Sequence, residues 1–407
     1  MKAEKVKVVP ELRFPGFEGE WENTNLGSLS MTVTSGSRDW AQYYASSGDR
    51  FVRMTNLDRN GIHLLLDEMK YVQIPENNSD GKRTSLEEDD ILISITAELG
   101  KIGWIPRDFG KAYINQHTAL IRLDKKSSES RFVAYKLSSK RMNKKINRLN
   151  DSGAKAGLNL PTIRSFPLTI PTLPEQRKIA DFLTAVDGRI QQLIQKRALL
   201  EAYKKGVMQQ LFTQAIRFKD DHGNDFPDWE EKKLGEIAAL ISGQHLNPDE
   251  YDTDPTGTPY FTGPSDFTSD PTQFKKWTKI TCKFAPQDCV LVTVKGNGVG
   301  KLMYSELPKV AMGRQLMAVR SESCNNFLLF QFLQTQSQYF GALASGNMIP
   351  GLSRPDLLST KIPVASLPEQ TKIANFLSAI DRKIESATTQ IAETQTFKRG
   401  LLQQMFV

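Results

Sequence analysis

"TLPEQRKIADFLTAVDGRI" runs from Thr172 to Ile190, and "SLPEQTKIANFLSAIDRKI" runs from Ser366 to Ile384. The second is the first rewritten 194 positions later. Extended to Leu173–Phe212 against Leu367–Phe406, the two stretches share 18 of 40 positions without a gap. Each carries the signs of a helix start. Thr172-x-x-Glu175 and Ser366-x-x-Glu369 have the capping-box spacing, in which a hydroxyl and a carboxylate satisfy free backbone N–H groups. Pro174 and Pro368 fall in the first turn, where a missing N–H costs little.

Beyond the start, apolar residues recur at 4-3 spacing. One seam is Ile179, Leu183, Val186, Ile190, Leu193, Arg197, Leu200, Lys204, Val207, Leu211. The other is Ile373, Leu377, Ile380, Ile384, Ala387, Ile391, Thr394, Lys398, Leu401, Met405. Eight of ten positions are apolar in each. Such a stripe is the seam of a coiled coil, and left in water it would be a large apolar patch. Two matching helices in one chain can cover each other as an antiparallel pair. Parallel pairing between two copies of the chain is the alternative.

The repetition reaches outward from the helices. "FEGEWENTNLGSL" (Phe17–Leu29) echoes "FPDWEEKKLGEI" (Phe226–Ile237), with Trp five residues before Leu-Gly in both. Ser35-Gly36 and Ser242-Gly243 follow. "DDILISITAELGKI" parallels "QDCVLVTVKGNGVGKL", and "INQHTALIR" parallels "MGRQLMAVR". A Gly-rich loop, Ser152–Leu158 or Ser345–Leu352, precedes each helix. The order is therefore head, helix, head, helix. The reading divides the chain into a first head at 1–160, a long helix region at 161–212, a second head at 213–355 and a second helix region at 356–407. Short β-rich runs such as Ile91–Thr96 mixed with helical stretches make the heads small α/β or α+β domains. The expectation is a pseudo-twofold dumbbell, two similar heads separated by an antiparallel coiled coil.

Composition narrows the class. The 407 residues hold 39% hydrophobic and 24% charged side chains, normal for a soluble globular chain. No apolar run approaches a membrane span, and the opening has no signal-peptide pattern. Three cysteines, Cys282, Cys289 and Cys324, match no zinc spacing and point to reduced thiols in a cytoplasmic protein. The net charge of +7 is uneven. Residues 1–212 contain 33 Lys+Arg against 25 Asp+Glu, and Arg122–Leu149 alone holds ten basic and two acidic residues. Such a cluster attracts phosphate backbones, although a solvated helix face has the same composition.

Two "LPEQ-x-x-I-A-x-F-L" helices, each following a divergent α/β segment that opens on a Phe, a Trp three or four residues on and then Leu-Gly, make the whole chain resemble the specificity subunit of type I restriction–modification systems. The resemblance implies that each divergent segment is a target recognition domain. Each would read half of a split, asymmetric site in double-stranded DNA. It also implies that the helices dock methyltransferase (modification) subunits, two of them, which the restriction subunits join. It implies no catalysis in this chain: methyl donor, ATP and Mg would bind partners. The residues agree. No Asn/Asp-Pro-Pro-Tyr/Phe motif occurs, and His63, His117, His222 and His245 sit in no ligand spacing. Lys295–Lys301 imitates a phosphate loop but lacks its first Gly and its Ser/Thr. Asp228 and Glu230 belong to the domain opening rather than to a nuclease site.

Side-chain chemistry nominates DNA contacts, since Asn and Gln suit adenine, Arg and Lys suit guanine, and all can hold phosphate. In the first head these are Lys101, Asn115, Gln116, Lys140, Lys144, Lys145 and Lys155. In the second they are Lys295, Asn297, Lys301, Arg314, Gln315, Asn347 and Arg354. Asn115 and Gln116 also suit the closing of a turn before the strand Thr118–Arg122. For partner contacts the repeated positions Glu175, Gln176, Phe182 and Asp187, with Glu369, Gln370, Phe376 and Asp381, are nominated. Capping and intramolecular pairing compete for the same residues. Phe182 and Phe376 lie one step off the seam, where a third helix could meet them. A scaffold holding two protein ligands without DNA is the alternative reading.

Overall fold

The computed structural model describes residues 9–75, 79–149, 157–296, 298–345 and 351–407. The chain forms two compact units. One is residues 1–194 with 389–407, and the other is 195–388. Each unit thus takes a head, the start of one long helix and the end of the other.

In the first unit one sheet has the order Ser30–Ser35, Thr118–Leu123, Ile91–Ser94, Ile102–Trp104, antiparallel throughout. All four residues of Ile91–Ser94 are buried, so the apolar run "ILIS" is a central strand covered on both faces rather than an alternating one. A second sheet has the order Tyr44–Ala45, Lys70–Val72, Asp49–Val52, Ala112–Ile114, with the last two strands parallel. Helices Ser130–Ser138 and Lys140–Arg148 complete the head. A ribbon pairs Glu22–Asn25 with Pro167–Ile170, so the segment leading into the long helix is hydrogen-bonded to the opening of the head.

The second unit repeats the plan. Its first sheet runs Ala238–Ser242, Leu316–Ser321, Cys289–Thr293, Leu302–Ser305. Its second includes Thr258–Phe261 parallel to Lys309–Met312, and Glu230–Lys233 pairs with Lys361–Val364. Divergent sequences fold alike because the buried strand positions stay apolar while their exposed neighbours change.

The long helices are Leu173–Phe212 and Leu367–Gln404. No seam position is exposed in either. In the first unit Ile179, Leu183, Val186 and Ile190 share a core with Leu401, Leu402, Met405 and Phe406. In the second, Val207, Met208 and Leu211 share one with Ile373, Ala374, Leu377 and Ile380. The start of each helix meets the end of the other within one chain, so the pairing is antiparallel and intramolecular. At about 25 cal/mol per Å² of buried apolar surface, each leucine-sized seam residue contributes roughly 2 kcal/mol. The polar breaks in the seam are also used. Lys398 Nζ lies 2.6 Å from Asp187 Oδ1, and Lys204 Nζ lies 2.6 Å from Asp381 Oδ1.

The capping-box expectation needs correction. Glu175 accepts from Arg13 through both oxygens at 2.8 Å, and Glu369 accepts from Arg217 and from Trp229 Nε1. Ser366 Oγ is buried without a hydrogen-bond partner. The guanidinium brings charge and two donors to one carboxylate, which outcompetes the single neutral backbone N–H of the cap residue.

Candidate functional site

The helix starts act as sockets for the heads. Gln176 Oε1 accepts the backbone N–H of Glu129 at 3.0 Å while its Nε2 donates to Pro171 O at 2.9 Å. Gln370 repeats this with the Asn325 N–H and Ala365 O. Glu129 and Asn325 lead into the head helices Ser130–Ser138 and Asn326–Thr335. Asp187 accepts from Tyr135 Oη at 2.8 Å and lies 3.1 Å from His63 Nε2. Asp381 accepts from Gln331 Nε2 at 3.0 Å. Burial pushes the Asp187 carboxyl up, but the His63 bond, the Lys398 charge and the Tyr135 hydroxyl together hold it below the usual range.

Of the eight nominated partner contacts, Glu175, Gln176, Asp187, Glu369 and Gln370 are buried and engaged inside the chain. Phe182 stacks edge-on against Phe14 and Phe376 against Phe218. These are contacts with the head-opening segments, not with a third helix. The helices do present a repeated outward pair that the sequence reading passed over. Tyr203 is 54% exposed and Phe397 is 55% exposed, and they stand 194 positions apart. The fixed offset was the signal that could have found them.

Among the nominated DNA contacts, Lys140, Lys144 and Lys145 stand exposed on Lys140–Arg148. Asn143 Nδ2 ties that helix to Gly100 O at 2.6 Å. Lys101 sits beside this turn and pairs with Glu98 at 2.7 Å. Asn115 closes the turn before the strand, its Oδ1 accepting from His117 N at 3.2 Å. Lys295, Lys301 and Arg314 are exposed. The Gln315 amide occupies the space a Cβ on Gly263 would need. Arg354 is a strut, donating to Leu240 O and Ser242 Oγ, both at 3.1 Å. Lys155, Asn297, Asn347 and most of both Gly-rich loops lie outside the described residues. The described loop ends hold equivalent places: Gly157 bridges to Thr96 and Gly351 to Lys295.

Gln116 lies in a polar cleft of about 580 Å³ lined by Ser35–Asp39, Arg83, Thr96 and His117. Arg83 donates to Ser35 O at 2.9 Å and Ser37 Oγ at 2.8 Å. Asp39 and Ala97, at the cleft and beside it, hold positive φ of 61° and 57°. Non-glycine residues in that region are strained, and such strain gathers at functional sites. Gly36 has no alternative, because a Cβ there would collide with the Asn115 carbonyl. Gly243 stands the same way against Gly313. Arg38, Arg83, Thr96 and His117 were missed in the sequence because the residues come from four separate segments. The repeated Ser-Gly pair was the one local hint.

Comparison with known proteins decides the class. The type I restriction modification DNA specificity domain profile matches residues 18–202 and 227–395. The chain belongs to that family. Two relatives of this specificity chain come from Methanocaldococcus jannaschii. The putative type I restriction enzyme MjaX specificity subunit is 27% identical over 257 residues, covering 61% of this chain. The MjaVIII specificity subunit is 27% identical over 266 residues, covering 58%. The matched region spans 60% of each relative's length. Solved structures share the fold across nearly all of the specificity chain. An S subunit of the M. genitalium type I system superposes with TM-score 0.65 at 16% identity, covering 98% of this chain and 99% of that one. A chain from a study of assembly and conformational transition of the type I R-M system gives 0.58 at 20%, covering 95% and 97%. No helix among the described residues is long and apolar enough to cross a membrane.

Proposed function

We propose that this chain is the DNA-recognition subunit of a type I restriction–modification complex. Residues 1–160 and 213–355 each read one half of a bipartite, asymmetric site. The observation that carries this is one backbone turn built twice with different side chains. Gly36 N–H donates to Thr118 O as Gly243 N–H donates to Leu316 O, and Ile95 N–H donates to His117 O as Val294 N–H donates to Gln315 O. A shared frame with unlike polar tips suits two modules reading two different words.

The long helices dock two methyltransferase subunits, and restriction subunits join through them. The repeated outward aromatics Tyr203 and Phe397 suit this role, since one partner surface can meet each copy. The chain itself is non-catalytic and works in the cytoplasm. Methyl donor, ATP and Mg belong to the partners.

The test is selection from a randomised duplex pool by the full chain with its methyltransferase. Two separated blocks of preferred sequence are expected, with affinity falling steeply with salt. Binding without sequence preference overturns the reading. Tyr203→Ala with Phe397→Ala should leave the fold intact and release the methyltransferase.

A further inference from the structure

We infer that Gln116 and Arg314 hold equivalent base-reading positions, Gln116 for adenine in one half-site and Arg314 for guanine in the other. The inference rests on the DNA-recognition reading and assigns it to two side chains.

The equivalence is one of backbone register. His117 and Gln315 each accept through their carbonyl from the strand opposite, at Ile95 and Val294, by 3.0 and 2.8 Å. Gln116 and Arg314 are the residues just before them, on the turn that faces Ser35-Gly36 or Ser242-Gly243. Arg314 is exposed, and no bond from its guanidinium to protein is seen among the described residues. A free guanidinium fork matches guanine O6 and N7.

The geometry around Gln116 is more specific. Its Nε2 lies 3.1 Å from His117 Nε2, and His117 Nδ1 lies 2.7 Å from Thr96 Oγ1. An amide NH₂ can only donate. With the amide nitrogen facing the ring, the imidazole Nε2 is the acceptor and Nδ1–H donates to Thr96 Oγ1. One N–H and the Oε1 remain for the cleft, side by side. That donor–acceptor pair is the complement of adenine N7 and N6. His117 is a positioning residue: its ring engages one end of the amide at 3.1 Å and leaves the rest of the group facing the cleft.

The experiment is selection from randomised duplexes by the full chain and its variants, with melting temperatures recorded. Gln116→Arg should convert one A·T position in one half-site to G·C, and Arg314→Gln should convert one G·C position in the other half-site to A·T. Gln116→Ala should lose about tenfold discrimination at that same A·T pair. His117→Leu should cause the same local loss without weakening the rest of the site, and His117→Gln, which restores an acceptor, should recover it. If well-folded Gln116→Arg, Gln116→Ala and Arg314→Gln select the wild-type site, the assignment is wrong while DNA recognition stands. If the unaltered chain selects no site, both fall.

Discussion

Lys398 Nζ lies 2.6 Å from Asp187 Oδ1, with both side chains over nine-tenths buried. The same two positions exchanged between the helices, Lys204 and Asp381, make the same contact, with Asp381 35% exposed. One sequence written twice thus supplies both partners of two ion pairs, and the difference in burial decides their energetics.

Asp187→Asn should destabilise the protein by about 4 kcal/mol, because it leaves a buried ammonium unpaired. Lys204→Met should cost about 1 kcal/mol, since Asp381 keeps part of its hydration. Urea unfolding compares them; equal midpoints would refute the ranking. The Asp187 carboxyl is held below its ordinary value when folded. Its contribution is therefore complete above the unfolded value of about 3.9 and is lost as pH falls through the folded one. Asp187→Asn should remove that part of the acid sensitivity.

Lys136 is a liability. Its side chain is buried against the Trp21 and Phe406 rings, and Nζ donates to Val407 O at 3.2 Å. Burial, with Lys145 and Arg141 nearby, pushes it down to about 7. Between there and its unfolded value of about 10.4 the unfolded chain binds more protons, so stability rises with pH over that window. Lys136→Met should flatten this slope and raise stability at pH 7 by about 2 kcal/mol. Thermal melts from pH 7 to 10 measure both.

Glu369 and Glu175 are equivalent in sequence but unequal in role. Glu369 satisfies Arg217 and Trp229 Nε1. Glu175 satisfies Arg13, while Trp21 Nε1 is buried with no partner. Glu369→Ala should therefore cost about 1 kcal/mol more than Glu175→Ala, the worth of the additional indole bond, in paired denaturant titrations.

Gly36→Ala forces a methyl into the Asn115 and Ile114 carbonyls. It should destabilise the first unit by about 2 kcal/mol and blur only one half of the selected DNA site. Gly243→Ala should blur the other half. Loss of both halves from either change would contradict separate reading modules.

The sequence by itself determined the architecture: the repeat, the helix starts, the seam and the class of the heads. It could do so because helix periodicity and an exact offset are local or one-dimensional signals. It did not determine the jobs of the repeated polar residues. Glu175 looked like a cap and Asp187 like a partner contact. Tertiary structure made them sockets, because Arg13, His63 and Lys398 arrive from distant segments. The cleft around Gln116 was equally hidden. Its lining comes from strand ends at 35–39, 83, 96 and 116–117, and only folding brings those donors and acceptors within hydrogen-bond reach of each other.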